Sequence, residues 1–346
     1  MQFDLSFEKV IGRKVNLQIS EILKSIDLEG ERVLITGAGG SIGSKISLEL
    51  SGMANCILLL TDRDENRLHT LSLDLIGTAL FNTSQFKVLD VRDLQGIELC
   101  VNAFQPTTII HAAALKHLSI LENQPREAYL TNVVGTVNML ETATKFGSVK
   151  FLNISTDKAA NPSSILGKSK WLGELFTSFY RREQYRQYTS VRFGNVFNSR
   201  GSVIETFANQ LAKNQPITLT DINVKRYFMK IEEASSLSIA SVFLNLDEIH
   251  LLRMGEPIRL LDVINKLRDL IKSDSPLEIV GLRTGEKIDE DLIAPYELAR
   301  GTSIKEILAL NSNVKFQDLP RLTKEVLTDY DAVRQIDRLI QDTCSD

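Results

Sequence analysis

Arg32-Val-Leu-Ile-Thr-Gly-Ala-Gly-Gly-Ser-Ile-Gly43 is the stretch on which the fold turns. Its apolar start reads as a short strand. The strand runs through glycines into an amphipathic helix expected over Ser41–Leu50. Gly37, Gly40 and Gly43 recur at every third position. This suits a dinucleotide turn. Glycine permits the tight bend, lets backbone amides approach a pyrophosphate, and leads into a helix N-terminus with unpaired N–H groups and positive dipole. The other reading of the glycines is a tight βα turn with no ligand.

Reading outward, Cys56–Leu60 is a second apolar run, closed by Thr61-Asp62. Helix patterns over Glu65–Leu75, Leu94–Phe104 and Pro125–Phe146 alternate with strand patterns Phe86–Asp90, Thr108–His111 and Lys150–Ser155. Before them, a helix-like stretch covers Leu17–Ile26. Strands alternating with helices imply βαβ units, right-handed crossovers and a parallel sheet covered on both faces. The expected fold class is α/β: a Rossmann-like doubly wound parallel sheet with a smaller, discontinuous C-terminal substrate lobe. The alternation fades after about residue 197. The expected division is 31–197 plus 222–250 for cofactor binding, and 198–221 plus 251–346 for the smaller lobe.

The 346 residues carry 40 Lys plus Arg against 44 Asp plus Glu, which gives no electrostatic footprint for nucleic acid. With 43% apolar and 24% charged residues, the composition is that of an ordinary soluble globular chain. Three cysteines, at 56, 100 and 344, suit neither a disulfide framework nor a metal site, so no metal and a reducing cytoplasmic location are expected. No apolar run approaches the ~18 residues of a spanning helix.

Asp62 ends the second strand, where a carboxylate meets the adenosine ribose, and Arg63 beside it offers a guanidinium to a 2′-phosphate. This favours NADP, with NAD possible; for Arg63 a solvated surface side chain is the alternative. Ser155-Thr156-Asp157-Lys158 follows the strand at Lys150, at the carboxyl edge where ligands bind in open α/β sheets. A hydroxyl, a carboxyl and an amine in a row read equally as chemistry or as a capped turn.

Seven blocks then occur in order: TGAGGSIGS, HAAALKHLSILENQPREAYLTNVVGT, STDKAANP, VRFGNVFNSRGSVI, KRYFM, MGEP and GLRTGEK. Over about residues 31–295 the chain resembles the extended short-chain dehydrogenase/reductase superfamily. More narrowly, it is similar to the bacterial dehydratases that remove water from UDP-N-acetylglucosamine across C5–C6. The resemblance implies an internal redox cycle on NADP, with hydride taken from C4 and returned to C6. It implies Thr156 at the C4 hydroxyl, Asp157 as acid toward the C6 hydroxyl, Lys158 as base at C5, and Lys170 on the nicotinamide ribose. Such chemistry needs a protonated acid and a partly neutral amine, states that burial and neighbouring charges can produce.

The same resemblance assigns Gly37, Gly40, Ser41, Ile42, Gly43, Asp62, Arg63, Asp90, Val91, Ala112, Ala113, Ala114 and Lys170 to the cofactor. It assigns Lys116, Asn132, Asn195, Arg200, Ser202, Val203, Arg226, Arg283 and Glu286 to the substrate. Asn132 is also read as a buttress or a helix-surface residue, and Trp171 as packing. His111 is expected to satisfy a backbone group at its strand end. Arg226 and Arg283 suit a diphosphate because a guanidinium fork donates to two oxygens.

Many superfamily members carry Tyr four residues before the lysine, but Leu166 stands there here. The large membrane-anchored dehydratases carry Met at that position and are associated with retention at C5, so retention is expected. Residues 1–30 resemble the segment preceding the catalytic domain in those members, and are read as a latch on a neighbouring lobe or subunit. The chain is therefore expected to be a free-standing cytosolic version of a domain more often tethered. The superfamily's subunit pairing implies a homo-oligomer formed through helices 125–146 and 165–185. A UDP-sugar 4-epimerase or reductase, and a silent NADP-binding sensor favoured by Leu166, are the competing readings.

Overall fold

The computed structural model describes residues 5–14, 19–53, 56–78, 84–243 and 248–345. Residues 1–4 and 15–18 of the expected latch, including the expected helix start at Leu17, lie outside these.

Nine strands form one sheet. β1 (Arg32–Thr36), β2 (Ile57–Asp62), β3 (Phe86–Val88), β4 (Thr108–His111), β5 (Lys150–Ile154), β6 (Gln187–Arg192) and β7 (Ile249–Leu252) run parallel. β8 (Glu297–Gly301) and β9 (Ile307–Ser312) are an antiparallel hairpin, and β9 pairs antiparallel with β7. The order β8-β9-β7-β6-β5-β4-β1-β2-β3 reverses direction of winding between β1 and β4. A crevice opens outside the carboxyl ends of strands at such a switch point.

Both sheet faces are covered, which explains the nearly continuous apolar strands. Helices Leu94–Phe104, Gly135–Lys145 and Ile165–Gln184 bury one face around Phe151, Phe176 and Tyr188. Helices Ser41–Ser51, Glu65–Ile76 and Ile231–Phe243 bury the other around Ile35, Leu60 and Leu237. Fully burying each such side chain is worth about 1.5–3 kcal/mol. A third core joins helices Val203–Ala212 and Leu260–Ile271 with short two-stranded ribbons, among them Lys225–Arg226 with Ile258–Arg259. This is the smaller lobe, and it is discontinuous in sequence.

The N-terminal helix Phe7–Ile11 plugs into that third core, with Phe7, Val10 and Ile11 buried. Phe7 meets Phe197 edge-on at 5.4 Å, and Arg13 pairs with Glu233 at 2.6 Å. No helix among the described residues is long and apolar enough to cross a membrane.

The expected helix near Pro125–Phe146 is a helical run with a π-helical stretch, Tyr129–Val134, between Pro125–Ala128 and Gly135–Lys145. Phe316, Val326, Ala332, Ile336 and Leu339 of this chain pack into the same core as these helices. Phe176 and Phe316 have ring centroids 5.0 Å apart, and the Tyr129 hydroxyl donates to the Thr323 carbonyl at 2.8 Å. Helix Asp329–Gln341 and the segment before it thus cover part of these helices within the chain itself.

Arg192, at the end of β6, is fully buried. Its guanidinium donates to Glu174 at 2.6 and 3.2 Å, to Glu297 at 2.8 and 2.9 Å, and to the Leu292 carbonyl at 3.0 Å. Removing one partner of a buried pair strands the other charge. Urea unfolding should therefore show Arg192→Leu losing about 3–5 kcal/mol, against under about 1 kcal/mol for Lys145→Ala at the exposed Lys145–Glu98 pair. Comparable losses would contradict this account of the network.

His250 on β7 is fully buried, and neither ring nitrogen has a hydrogen-bond partner. Burial, aided by the nearby Arg181 charge, pushes its pKa down to about 4. The unfolded imidazole titrates near 6.5. The neutral ring's contribution is therefore present above pH ~6.5 and lost as pH falls toward 4. His250→Leu should flatten the acid-side fall in unfolding free energy across that window. An unchanged slope would refute the assignment.

Candidate active site

The glycine loop is built by close approach. Gly37 has φ +65°. A Cβ there would lie 2.6 Å from the Ala113 nitrogen, and a Cβ at Gly43 would lie 2.2 Å from the Gly37 carbonyl oxygen. Gly40 N-caps helix Ser41–Ser51, whose first turn holds no acidic residue. Its free N–H groups can therefore face an anion. Each oxygen of the buried Asp62 accepts one backbone N–H at 3.0 Å, from Gly39 and from Asp64, which holds the carboxylate at the loop's edge.

A cleft of about 770 Å³ opens at the switch point. It brings together Gly37, Gly40, Ser41, Ile42, Gly43, Asp62, Arg63, Asp90, Val91 and Ala112–Ala114 with Thr156, Lys158 and Lys170. Lys116, Asn195, Arg200, Ser202, Val203, Arg226, Arg283 and Glu286 line it too. Asp157 and Asn132 are not in its lining. These residues fit a dinucleotide: small residues where backbone must approach, a helix N-terminus, and a carboxylate beside exposed guanidinium groups.

At the end of β5, Thr156 caps a short 3₁₀ turn, Asp157–Ala159. The capped turn expected as one reading of this segment is therefore present. The Thr156 hydroxyl donates to Asp157 Oδ1 at 2.9 Å, and Lys158 Nζ donates to the same oxygen at 3.0 Å. Asp157 Oδ2 is buried without a partner. Lys158 Nζ also lies 3.3 Å from Glu290 Oε1. Burial favours the neutral amine, but the Asp157 and Glu290 carboxylates outweigh it and raise the Lys158 pKa. The expectation of a partly neutral lysine is corrected: beside two carboxylates it holds its proton.

Lys170 behaves oppositely. Burial pushes its amine down to about 8, and Glu174 only partly offsets that. Leu166, one helical turn earlier, is 5% exposed and lines the cleft, packing with Leu121 and Ala128. The Ser155 hydroxyl donates to Glu174 at 2.5 Å, tying the segment's start to the Arg192 network.

Asn132 takes its buttress reading and Trp171 its packing one, whereas His111 departs from the backbone partner expected for it. Asn132 is 1% exposed, accepts from Leu115 N at 2.9 Å, and donates to the Leu115 carbonyl at 3.0 Å and Ser169 Oγ at 3.1 Å. It buttresses the loop after β4. His111 bonds the Thr36 and Thr136 hydroxyls at 2.8 and 3.2 Å, not a backbone group. Trp171 packs in the core.

Arg226 gives Nη1 to the carbonyls of Lys225 and Ile288 at 2.7 and 2.9 Å, and Nη2 to the Lys287 carbonyl at 2.9 Å and Glu286 at 3.4 Å. It therefore organises loop 286–290. Arg200 reaches from the smaller lobe to the glycine loop, donating to the Gly39 carbonyl at 3.0 Å. Lys116 Nζ donates to the Arg200 carbonyl at 2.8 Å, and Arg283 to Ser119 Oγ at 3.0 Å.

Sequence reading passed over Arg67, Thr131 and Glu290, all close to the site. Arg67 lines the cleft with Arg63, and its place on the first turn after Asp62 was a usable signal. Thr131 lines it with a buried, unpartnered hydroxyl. Glu290 follows Glu286 by one helical spacing, but just beyond the quoted block.

A family model described as polysaccharide biosynthesis protein matches residues 33–312. The chain is 37% identical over 304 residues to the probable polysaccharide biosynthesis protein EpsC of Bacillus subtilis, across 85% of this chain and 50% of that protein. It thus spans about half the length of that relative. It is 30% identical over 282 residues to the UDP-glucose 4-epimerase of Rickettsia rickettsii, across 79% and 81% of the two chains. Among solved structures, Pen from Bacillus thuringiensis aligns with a TM-score of 0.71 and 28% identity, covering 82% of this chain and 88% of that one. The glycine loop at the switch point, the parallel sheet and these matches agree: the chain belongs to the polysaccharide biosynthesis protein family.

Proposed function

We propose that this chain is a 4,6-dehydratase of UDP-N-acetylglucosamine that recycles NADP internally. The observation that carries the reading is the Asp157–Lys158 pair, 3.0 Å apart at the carboxyl end of β5 beside the glycine-loop cleft. Elimination across C5–C6 needs an acid for the departing hydroxyl and a base for the C5 proton.

The pair reaches that state without outside protons. In the free site the proton sits on Lys158. Its transfer from Lys158 Nζ to Asp157 Oδ1 leaves a neutral amine beside a carboxylic acid. Ground-state pairing keeps the proton in the site, and the transfer arms both groups together. Thr156, already bonded to Asp157, is the hydroxyl offered to the sugar's C4 oxygen. When bound, NADP supplies the hydride acceptor and donor. Gly37, Gly40, Ser41, Ile42 and Gly43 are the residues that would hold its pyrophosphate, Asp62 its ribose, and Arg63 with Arg67 its 2′-phosphate. Lys170 serves the nicotinamide ribose, while Asn195, Ser202, Val203, Arg283 and Glu286 take the UDP side.

Leu166 leaves no phenol at the usual base position. This aligns the chain with the dehydratases that retain configuration at C5. The resemblance to a Rickettsia UDP-glucose 4-epimerase favours 4-epimerisation as the second reading. Inversion at C4 needs neither an acid at C6 nor a base at C5, so the Asp157–Lys158 pair speaks against it.

Incubation with UDP-N-acetylglucosamine and mass analysis should show loss of one water, and Lys158→Ala and Asp157→Asn should each lower turnover at least ~10²-fold with NADP affinity within a few-fold. An unchanged mass with a new C4 configuration would establish the epimerase instead. Near-wild-type turnover in either variant would remove the assigned roles. For the cofactor, Arg63→Ala combined with Arg67→Ala should weaken NADP binding at least ~10-fold and NAD binding under ~2-fold, as losing a phosphate's charged partners costs about 1.4 kcal/mol or more. Equal weakening of both would exclude a 2′-phosphate site there.

A further inference from the structure

Glu290 is a buried carboxylate that the reading above leaves without a task. Its side chain is 4% exposed, yet it lines the cleft. Its Oε1 lies 3.3 Å from Lys158 Nζ and 3.8 Å from Arg226 Nε. A charge so buried needs a partner, and the lysine amine is the nearer one. The loop that carries it is held from beneath. Arg226 takes the carbonyls of Lys287 and Ile288, Glu286 accepts from the Thr220 hydroxyl at 2.9 Å, and Lys225 N donates to the Ile288 carbonyl at 2.9 Å. Glu290 therefore projects from a loop fixed by the residues that flank the expected diphosphate site.

We propose that Glu290 is the positioning residue for Lys158: it pins the amine between two carboxylates and links it, through Arg226, to the nucleotide-binding loop 286–290. This rests on the dehydratase reading. With Asp157 alone, a four-carbon side chain on a half-buried turn can swing toward solvent. A second carboxylate on the opposite loop fixes it where C5 must sit. The charged groups facing Lys158 are Asp157, Glu290 and Arg226, and their balance favours its protonated form. Burial, then the Glu256, Asp289 and Asp157 carboxylates, raise the pKa of the nearby Tyr227 phenol.

The test is Glu290→Gln, which keeps shape and removes charge, with Glu290→Asp as the conservative variant and circular dichroism to confirm folding. For Glu290→Gln the expected result is a fall in kcat of about 10–100-fold with KM within ~3-fold. The alkaline limb of the pH–rate profile should move down by about one unit, since a neighbouring anion no longer holds the lysine proton. Glu290→Asp should recover most of the profile's position but not all of kcat.

A second readout is independent of turnover. In the reductively ¹³C-methylated protein, the Lys158 resonance, assigned by its loss in Lys158→Arg, should titrate at lower pH in Glu290→Gln than in wild type. If it titrates identically in both, the proposal is overturned, whatever the kinetics. If it shifts but wild type removes no water from the sugar, the pairing stands and the dehydratase reading alone fails.

Discussion

Arg192 is a cation with no access to water, and four elements meet on it. It ends β6, bonds Glu174 from helix Ile165–Gln184, and bonds Glu297 from the edge hairpin. Through Glu174 it also holds Ser155, the residue before Thr156-Asp157-Lys158. Taking three charges out of water is costly, and it is tolerated only when every donor and lone pair is matched. The match here is geometric: a guanidinium fork against two carboxylates. The helix carrying Leu166 and Lys170 and the turn carrying Asp157 and Lys158 are thereby fixed to one centre. The chemistry proposed for this chain needs those side chains held within fractions of an ångström.

Above this floor the two lysines sit in opposite fields. Lys170 has one carboxylate at a distance and loses its hold on a proton through burial. Lys158 has two carboxylates within about a hydrogen-bond length and keeps it. The same residue type thus serves two purposes because its surroundings differ. Titratable groups pushed apart by their environments are a mark of acid–base sites.

Much of the fold was legible because parallel sheets buried on both faces write themselves as apolar runs. Val33–Ile35, Leu58–Leu60 and Ile109–Ile110 are such runs, and the glycines at 37, 40 and 43 mark the switch point. The C-terminal third was harder. β8 exposes all but its first residue, and β9 buries three of its six, so neither shows a clean period. Sequence grouped 251–346 as one lobe, although β7, the β8–β9 hairpin and helix Asp329–Gln341 pack with the main sheet and its helices. Nothing local tells that Phe316, Ile336 and Leu339 cover helices on which a second subunit was expected.

Within the site, residue types were readable, but their partners were not. Arg226 was recognised as a guanidinium in the right block, yet its donors serve carbonyls of its own chain. Lys158 was recognised as an amine, but its proton is held by Asp157 beside it together with Glu290, which lies 132 positions away and is brought near only by the fold. In the proposed reaction hydrogen moves within one sugar while Asp157 and Lys158 move protons around it. The most direct measurement follows UDP-N-acetylglucosamine labelled with deuterium at C4, using NMR of the product. The label should appear in the new C6 methyl group at each turnover. Label that stays at C4, or is lost to solvent, would contradict it.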